Sequence, residues 1–362
     1  MSSQQPASSR PAAALIVAVS GGPKRGKKAA IRPGQTLIVG RSSQAGLSLS
    51  DAPRLSARHF EVAWDGEVPR IRDLASHDGT RLDGQPISDE EARNAAWIRA
   101  GEVDFTLHIE GYTPPDRTDE DDADEPEAPT TALADSPPPD APEEEPFATE
   151  DAEPEEDDGA FYTGDNAEMR WNARQAAKQA RLERSAREAA LSLAAPLLES
   201  IAAEGPIHAV LDSARTPRIL TVLREAVEEH RSLYEGTAGE ALDDVAPYLV
   251  RLESGSRLLG QLLSEGWCRR WGIYLVGDVR ERDLRRHLRR FLLVEEEDTR
   301  ERLYFRYYDP AALLSVWSTC SRRQKDDLLG PLKAFLIEGP RGEVLRLTAA
   351  GDIEPLTSPW TR

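Results

Sequence analysis

The stretch from Gly111 to Ala160 rules out one continuous fold for this 362-residue chain. It holds twenty Asp and Glu, ten Pro and one base, Arg117. Twenty acids against one base give it a formal charge of −19, the net charge of the whole protein. A segment so charged, so rich in Pro and so poor in aromatics buries too little apolar surface to offset the entropy of ordering it. Residues 111–160 are therefore expected to be a disordered acidic, Pro-rich linker. Thr118, Thr130, Thr131 and Thr149 within it are candidate phosphorylation sites. The chain then reads as two bodies joined by a tether.

Outside the linker the charges balance, with 44 of the 64 acids and 44 of the 45 bases remaining. The sequence pI near 4.9 thus describes the linker, and the folded parts are near neutral. About 110 residues precede the linker and about 200 follow it, each enough for its own core. Two cysteines, Cys268 and Cys320, without a CxxC pair, support neither a disulfide framework nor a zinc site. That cysteine usage makes a reducing cytoplasm the default expectation, and no apolar run approaches the ~20 residues of a membrane span, so no membrane insertion is expected. Near the N-terminus, Arg10-Pro11 precedes an apolar run from Ala12 to Val19 and then Ser20-Gly21-Gly22. This reads as a first β-strand ending in a turn; a short signal peptide is the alternative.

Residues 13–110 alternate short apolar runs with Gly and Asp turns. The expected strands are Leu15–Val19, Thr36–Val39, Phe60–Trp64, Val68–Asp73, Thr80–Leu82, Trp97–Ala100 and Val103–Glu110. A spacing near ten residues indicates an all-β sandwich. The loops carry the chemistry: Gly40-Arg41, then Ser56-Ala57-Arg58-His59, then Asp73 through Thr80, then the Asp83-Gly84 turn. In order and spacing this set resembles the forkhead-associated (FHA) domain, over about 100 residues. The resemblance implies a phosphothreonine-reading sandwich of eleven strands. By position, Arg41 would grip the phosphate through its guanidinium fork and Ser56 would donate its hydroxyl to it, with Arg58 adding charge or contacting the peptide. His59, Gly40 and Gly79 match structural positions. Asp78 stands where the family usually has Asn, so it offers only acceptors and adds a negative charge; His77 beside it is a possible compensating donor. The alternative is an FHA scaffold that binds an unphosphorylated partner.

Residues 161–204 carry bases at three- and four-residue spacing on an Ala-rich background, which predicts a helical connector with a solvated face. It carries no nucleic-acid motif. Residues 205–350 alternate strand and helix signals, hence an α/β domain. Strands are expected at Ile207–Leu211, Tyr248–Leu252, Trp271–Val276 and Leu303–Tyr307, with a closing hairpin of Ala334–Glu338 and Val344–Leu347. Helices are expected from Thr216-Pro217 to about His230, over Ser256–Glu265, over Glu281–Phe291 with His287 exposed, from Pro310 to about Trp317, and within Ser321–Phe335. No GxSxG, GxGxxG, P-loop or HExxH is present, so neither an enzyme nor a cofactor is expected, and the acids Glu295 to Asp298 read as a solvated loop.

Several runs in this part, from Ala209-Val210-Leu211-Asp212-Ser213-Ala214-Arg215 to Phe305-Arg306-Tyr307-Tyr308-Asp309-Pro310, together resemble the adaptor-chaperones of type VI secretion (Tap/TEC adaptors). Between them lie Arg231 to Gly236, Pro247 to Val250, Gly266-Trp267 with Trp271 to Ile273, and Leu284 to Arg290. That family was first catalogued as a domain of unknown function. The resemblance implies a non-enzymatic bacterial protein whose partners are a secretion effector and the spike protein that receives it. The FHA part implies a phosphothreonine protein or kinase substrate as a further partner. A signalling regulator of secretion-system assembly is the other reading. Arg306 and Tyr308 on one strand face, with Arg285 and Arg289 on a basic helix, are the candidate partner contacts.

Overall fold

Alternation of apolar and polar residues sets the first body. The computed structural model describes residues 13–115, 165–235, 241–295, 302–350 and 353–357, without the side chains of 165–171, 173 and 174. Thr118, Thr130, Thr131 and Thr149, the rest of the expected linker from 116 onward, Gly236, and residues 296–298 of the acid run lie outside the described residues. The eleven strands are β1 Leu15–Gly21, β2 Lys28–Ile31, β3 Gln35–Gly40, β4 Leu47–Ser48, β5 Phe60–Trp64, β6 Pro69–Asp73, β7 Thr80–Leu82, β8 Gln85–Ile87, β9 Asp89–Glu91, β10 Trp97–Ala100 and β11 Val103–Ile109. They form one sheet ordered β2-β1-β11-β10-β7-β8 and another ordered β4-β3-β5-β6-β9. Leu15, Val17 and Val19 of β1 and Phe105 and Leu107 of β11 point inward, as do Phe60 and Val62 of β5. Phe60 and Phe105 meet edge to face between the sheets, 5.3 Å apart at their centroids. Asp83 and Gly84, with φ of 48° and 86°, make the two-residue β7–β8 hairpin, a turn that needs positive φ twice.

The second body opens with helix α1, Asp165–Glu204, which continues through Pro196. The chain divides into two units, one of Met1–Pro115 with Arg187–Arg362 and one of Asp116–Ala186, so α1 contributes to both. In the second unit its described side chains from Gln175 on are mostly exposed, with Gln179 donating to Glu183 one turn along. In the first unit, Ala190, Ala194, Leu198, Ile201 and Ala202 enter a core.

That core lies on one face of a seven-stranded sheet. Its strands are β12 Ile207–Asp212, β13 His230–Ser232, β14 Pro247–Leu252, β15 Gly272–Val276, β18 Ala334–Glu338, β19 Val344–Leu347 and β20 Ile353–Pro355, ordered β13-β14-β12-β15-β18-β19-β20 with every neighbour antiparallel. A separate ribbon pairs β16 Leu293–Glu295 with β17 Arg302–Tyr304. Helices α2 Pro217–Arg224 and α3 Arg257–Gly266 join α1 on one face of the large sheet, while α4 Glu281–Arg289, α5 Pro310–Thr319 and α6 Arg322–Leu329 cover the other. Strand β12 feeds both cores: Ile207, Ala209 and Leu211 face one, Val210 the other. A strand covered on both sides reads as a continuous apolar run, as this one does.

Helix starts follow local chemistry. Thr216, Ser256 and Asp309 each accept a hydrogen bond from the first turn, Pro217 and Pro310 occupy the first helical positions, and Ser321 with Gln324 forms a capping box. Three expectations fail. The helix from Pro217 stops at Arg224, and His230–Ser232 is an edge strand on β14, because the intervening residues are held by contacts distant in sequence (below). The strand expected over Leu303–Tyr307 ends at Tyr304. His287 is buried, its Nε2 2.8 Å from the Leu328 carbonyl oxygen, because α6 packs over that face of α4.

Candidate functional site

The loops after β3, before β5 and after β6 meet at one end of the sandwich, and backbone bonds hold them. The Arg41 and Ser42 amides donate to the carbonyls of Ser56 and Ala57 at 2.9 and 3.0 Å, and the Leu74 amide donates to His59. Gly40 is required by proximity: a Cβ there would stand 2.3 Å from the Ala57 oxygen. Gly79 is required by its φ of +71°. His59, buried, ties two of the loops. Its Nδ1 accepts from the Ser56 amide at 3.0 Å, which leaves Nε2 carrying the proton that goes to the Gly79 carbonyl at 3.2 Å. Asp73 braces the third loop, accepting from Ser76 Oγ and Thr80 Oγ1 at 2.6 Å each and from the Ser76 amide at 3.0 Å. Burial pushes the Asp73 carboxyl up, but these bonds outweigh it and hold it below its usual range.

On this frame stand the residues singled out by sequence. Arg41 and Arg58 are both exposed, and neither guanidinium has a hydrogen-bond or ion-pair partner among the described residues. Ser56 Oγ accepts from the His77 amide at 3.0 Å, so its own proton remains free to be donated. Asp78 is engaged at both oxygens. Oδ2 takes Arg54 Nε at 3.0 Å and Nη2 at 2.9 Å; Oδ1 takes His77 Nδ1 at 2.8 Å. The hydrogen bond from His77, then that from Arg54, holds the Asp78 carboxyl below its usual range. Arg54 thus offsets the charge that Asp78 brings to the loop. Sequence reading missed Arg54, because nothing in its local pattern points to a partner at position 78.

The C-terminal candidates lie elsewhere, and the structure gives them internal work. Asp212 and Arg215 of one motif meet Arg306 and Asp309 of the other in reciprocal pairs. Arg306 binds Asp212, and Arg215 Nη2 reaches Asp309 Oδ2 at 2.8 Å. Arg270 adds a fork onto Asp309, with Nε 2.9 Å from Oδ1. Arg306 keeps 45% of its side chain exposed. Tyr308 is only 2% exposed and Tyr307 is fully buried, with its hydroxyl donating to the Leu288 carbonyl. Since the strand ends at Tyr304 and residues 306–309 close a turn, the Asp309 amide donating to the Arg306 carbonyl at 2.9 Å, the expected alternation does not hold, and Tyr308 is corrected from surface contact to core. Arg285 donates to the carbonyls of Ser232 and Tyr234, and Arg289 to that of Leu233, while both pair with Glu235. These two arginines fasten α4 to the chain after β13. They are not the free basic face that the sequence suggested.

Comparison with known proteins agrees with this division. Residues 37–102 match the FHA domain family, and residues 207–327 match "Domain of unknown function (DUF4123)". The chain thus carries an FHA domain and a DUF4123 domain, the latter of the kind found in the type VI secretion adaptors. Over 72 residues the chain is 32% identical to the FHA domain-containing protein FhaA of Mycobacterium tuberculosis, a match covering 20% of this chain and 14% of that protein. Among solved structures it is similar to the FhaA FHA domain complexed with the intracellular domain of Rv3910, with 28% identity, 26% of this chain, 99% of that one and a TM-score of 0.24. It is also similar to the FHA domain of CT664 from Chlamydia trachomatis, with 24% identity, 26% and 96% coverage, and a TM-score of 0.25. Among the described residues no helix is long and apolar enough to cross a membrane.

Proposed function

We propose that this protein is a non-enzymatic adaptor. Its FHA loops take a phosphothreonine-bearing partner through Arg41, Ser56 and Arg58, and its DUF4123 domain holds a type VI secretion effector for transfer to the spike protein. The observation that carries the first half is the pair of exposed, unpartnered guanidiniums beside a hydroxyl whose proton is free. Two fixed positive charges and a neutral donor suit a phosphate dianion. The Arg54–Asp78 pair removes the objection that an Asp in this loop repels phosphate. The second half rests on the DUF4123 match.

Each half has its own test. For the FHA loops, the full chain captures partners from its host's lysate before and after phosphatase treatment; a partner lost on treatment, and lost equally in Arg41→Ala, is the expected result. A partner set indifferent to both would remove the phosphate-reading role. For the DUF4123 domain, the chain is co-expressed with the products of neighbouring genes. A toxin-sized product that is soluble only in its company supports the cargo role, and no stable partner counts against it.

A further inference from the structure

One corner of the sandwich that should be wet is dry. The core takes Leu15, Val17 and Val19 of β1 and Phe105 and Leu107 of β11, so their neighbours point outward. Yet Ile16 is 0% exposed, and Ala14, His108 and Glu110 on the same outer face are buried too. Residues 218–257 of the C-terminal body meet this face. Lys28 places its Nζ on the carbonyls of Leu223 (2.7 Å) and Ala226, in the last turn of α2 and just beyond it, where the Leu223 oxygen otherwise takes a long bond from the Ala226 amide at 3.4 Å. Thr113 donates both its amide (2.8 Å) and its hydroxyl to the buried Glu225 carboxylate, and the Gly111 amide reaches the Glu225 carbonyl. The Thr113 carbonyl in turn accepts from Arg218 Nη2 at 2.9 Å, and Arg218 is paired with Glu265 in the interior. Arg25 reaches Asp243, and Arg257 reaches Glu110. These bonds use backbone carbonyls and buried charges, groups that are costly to leave unpaired.

We propose that the outer face of β2, β1 and β11 is a built interface that makes the FHA sandwich a fixed, non-covalently held part of the DUF4123 body. The acidic segment is then not what keeps the two together. Among the described residues, Arg41, Ser56 and Arg58 make no hydrogen bond or ion pair with residues 187–357, so docking leaves their loops open. Whatever those loops bind is presented at a set place on the C-terminal body and not at the end of a tether. This inference does not rest on the identity of either ligand.

The test cuts the chain. A specific protease site is placed between residues 116 and 164 of the full-length protein, which is cleaved and passed over a sizing column at micromolar concentration. The two pieces are expected to co-elute at the volume of the uncut 39.9-kDa chain. In the double variant Lys28→Glu with Thr113→Glu they are expected to separate. Amide exchange on the uncut variant shows whether Val17, Phe105, Leu211 and Ile273 keep their protection. Should the variant lose it, Lys28→Met, which keeps the apolar stem and removes the donors, is expected to raise the dissociation constant of the cleaved pieces at least tenfold. Separation of the wild-type pieces on cleavage overturns the proposal. So does a variant that keeps its cores and still co-elutes as tightly as wild type.

Discussion

Asp78 and Arg54 form a pair whose removal has opposite effects depending on which member goes. Arg54→Ala frees an uncompensated carboxylate at the loop and is expected to weaken binding of a phosphothreonine peptide several-fold in a fluorescence titration. Asp78→Asn removes that charge and is expected to bind at least as tightly as wild type. A loss in Asp78→Asn would mean that the carboxylate itself is used. His59→Ala strips both loop ties and leaves buried groups unpaired, so it is expected to lower stability by about 2–3 kcal/mol in denaturant unfolding. An effect within ~0.5 kcal/mol would show that the loops hold without it. Arg41, Ser56, Arg58 and His59 were legible in the sequence because their spacing forms a motif. Arg54 was not, since its partner is 24 residues away and no periodicity links the two.

At the scale of elements, the two charged motifs of the DUF4123 domain act as a clasp. Asp212 ends strand β12 and Arg215 lies in the turn after it; Arg306 and Asp309 precede α5; each acid takes the other motif's base. Asp309→Ala strands Arg215 and Arg270 and removes the α5 cap. Its expected cost is about 3 kcal/mol, the lower end for breaking a buried pair because both arginines keep some exposure. Asp212→Asn and Arg306→Ala are expected to be non-additive in a double-mutant cycle, by about 0.5–3 kcal/mol. Additive effects would dissolve the clasp. The starts of α2, α3, α5 and α6 were legible because caps and Pro are local signals. The end of α2 was not, because Lys28 and Thr113 hold the carbonyls and carboxylate after Leu223 from far along the chain. Nor was the burial of both Tyr307 and Tyr308, which no two-residue period can produce.

For the whole molecule, acid should loosen the fold. Burial lowers His108 and His208 from 6.5 to about 4, with Lys28 and Arg224 adding to the effect at His108 and Arg251 at His208. Burial also lowers His230, which faces Lys28, Arg224, His108 and Arg231. As pH falls from 6.5 toward 4 the unfolded chain takes up protons at these sites that the native chain refuses, so stability falls by up to about 1.4 kcal/mol per unit for each. Glu338 opposes them: burial raises it from 4.5 to about 7, so in that window the native state binds the extra proton. Burial also lowers His287 and raises Glu281, so four histidines stand against two glutamates, and urea midpoints are expected to drop between pH 6.5 and 4.5, more steeply in Glu338→Gln. A flat profile would contradict the buried neutral histidines. The central claim, that the Arg41 loops read phosphothreonine, is met most directly by calorimetric titration. The full chain and its Arg41→Ala variant are titrated with a phosphothreonine peptide and its unphosphorylated twin. The account predicts that wild type binds only the phosphorylated peptide and that Arg41→Ala loses about 1.5–3 kcal/mol, roughly 10- to 150-fold. Equal binding of the two peptides, or equal binding by the two proteins, would contradict it.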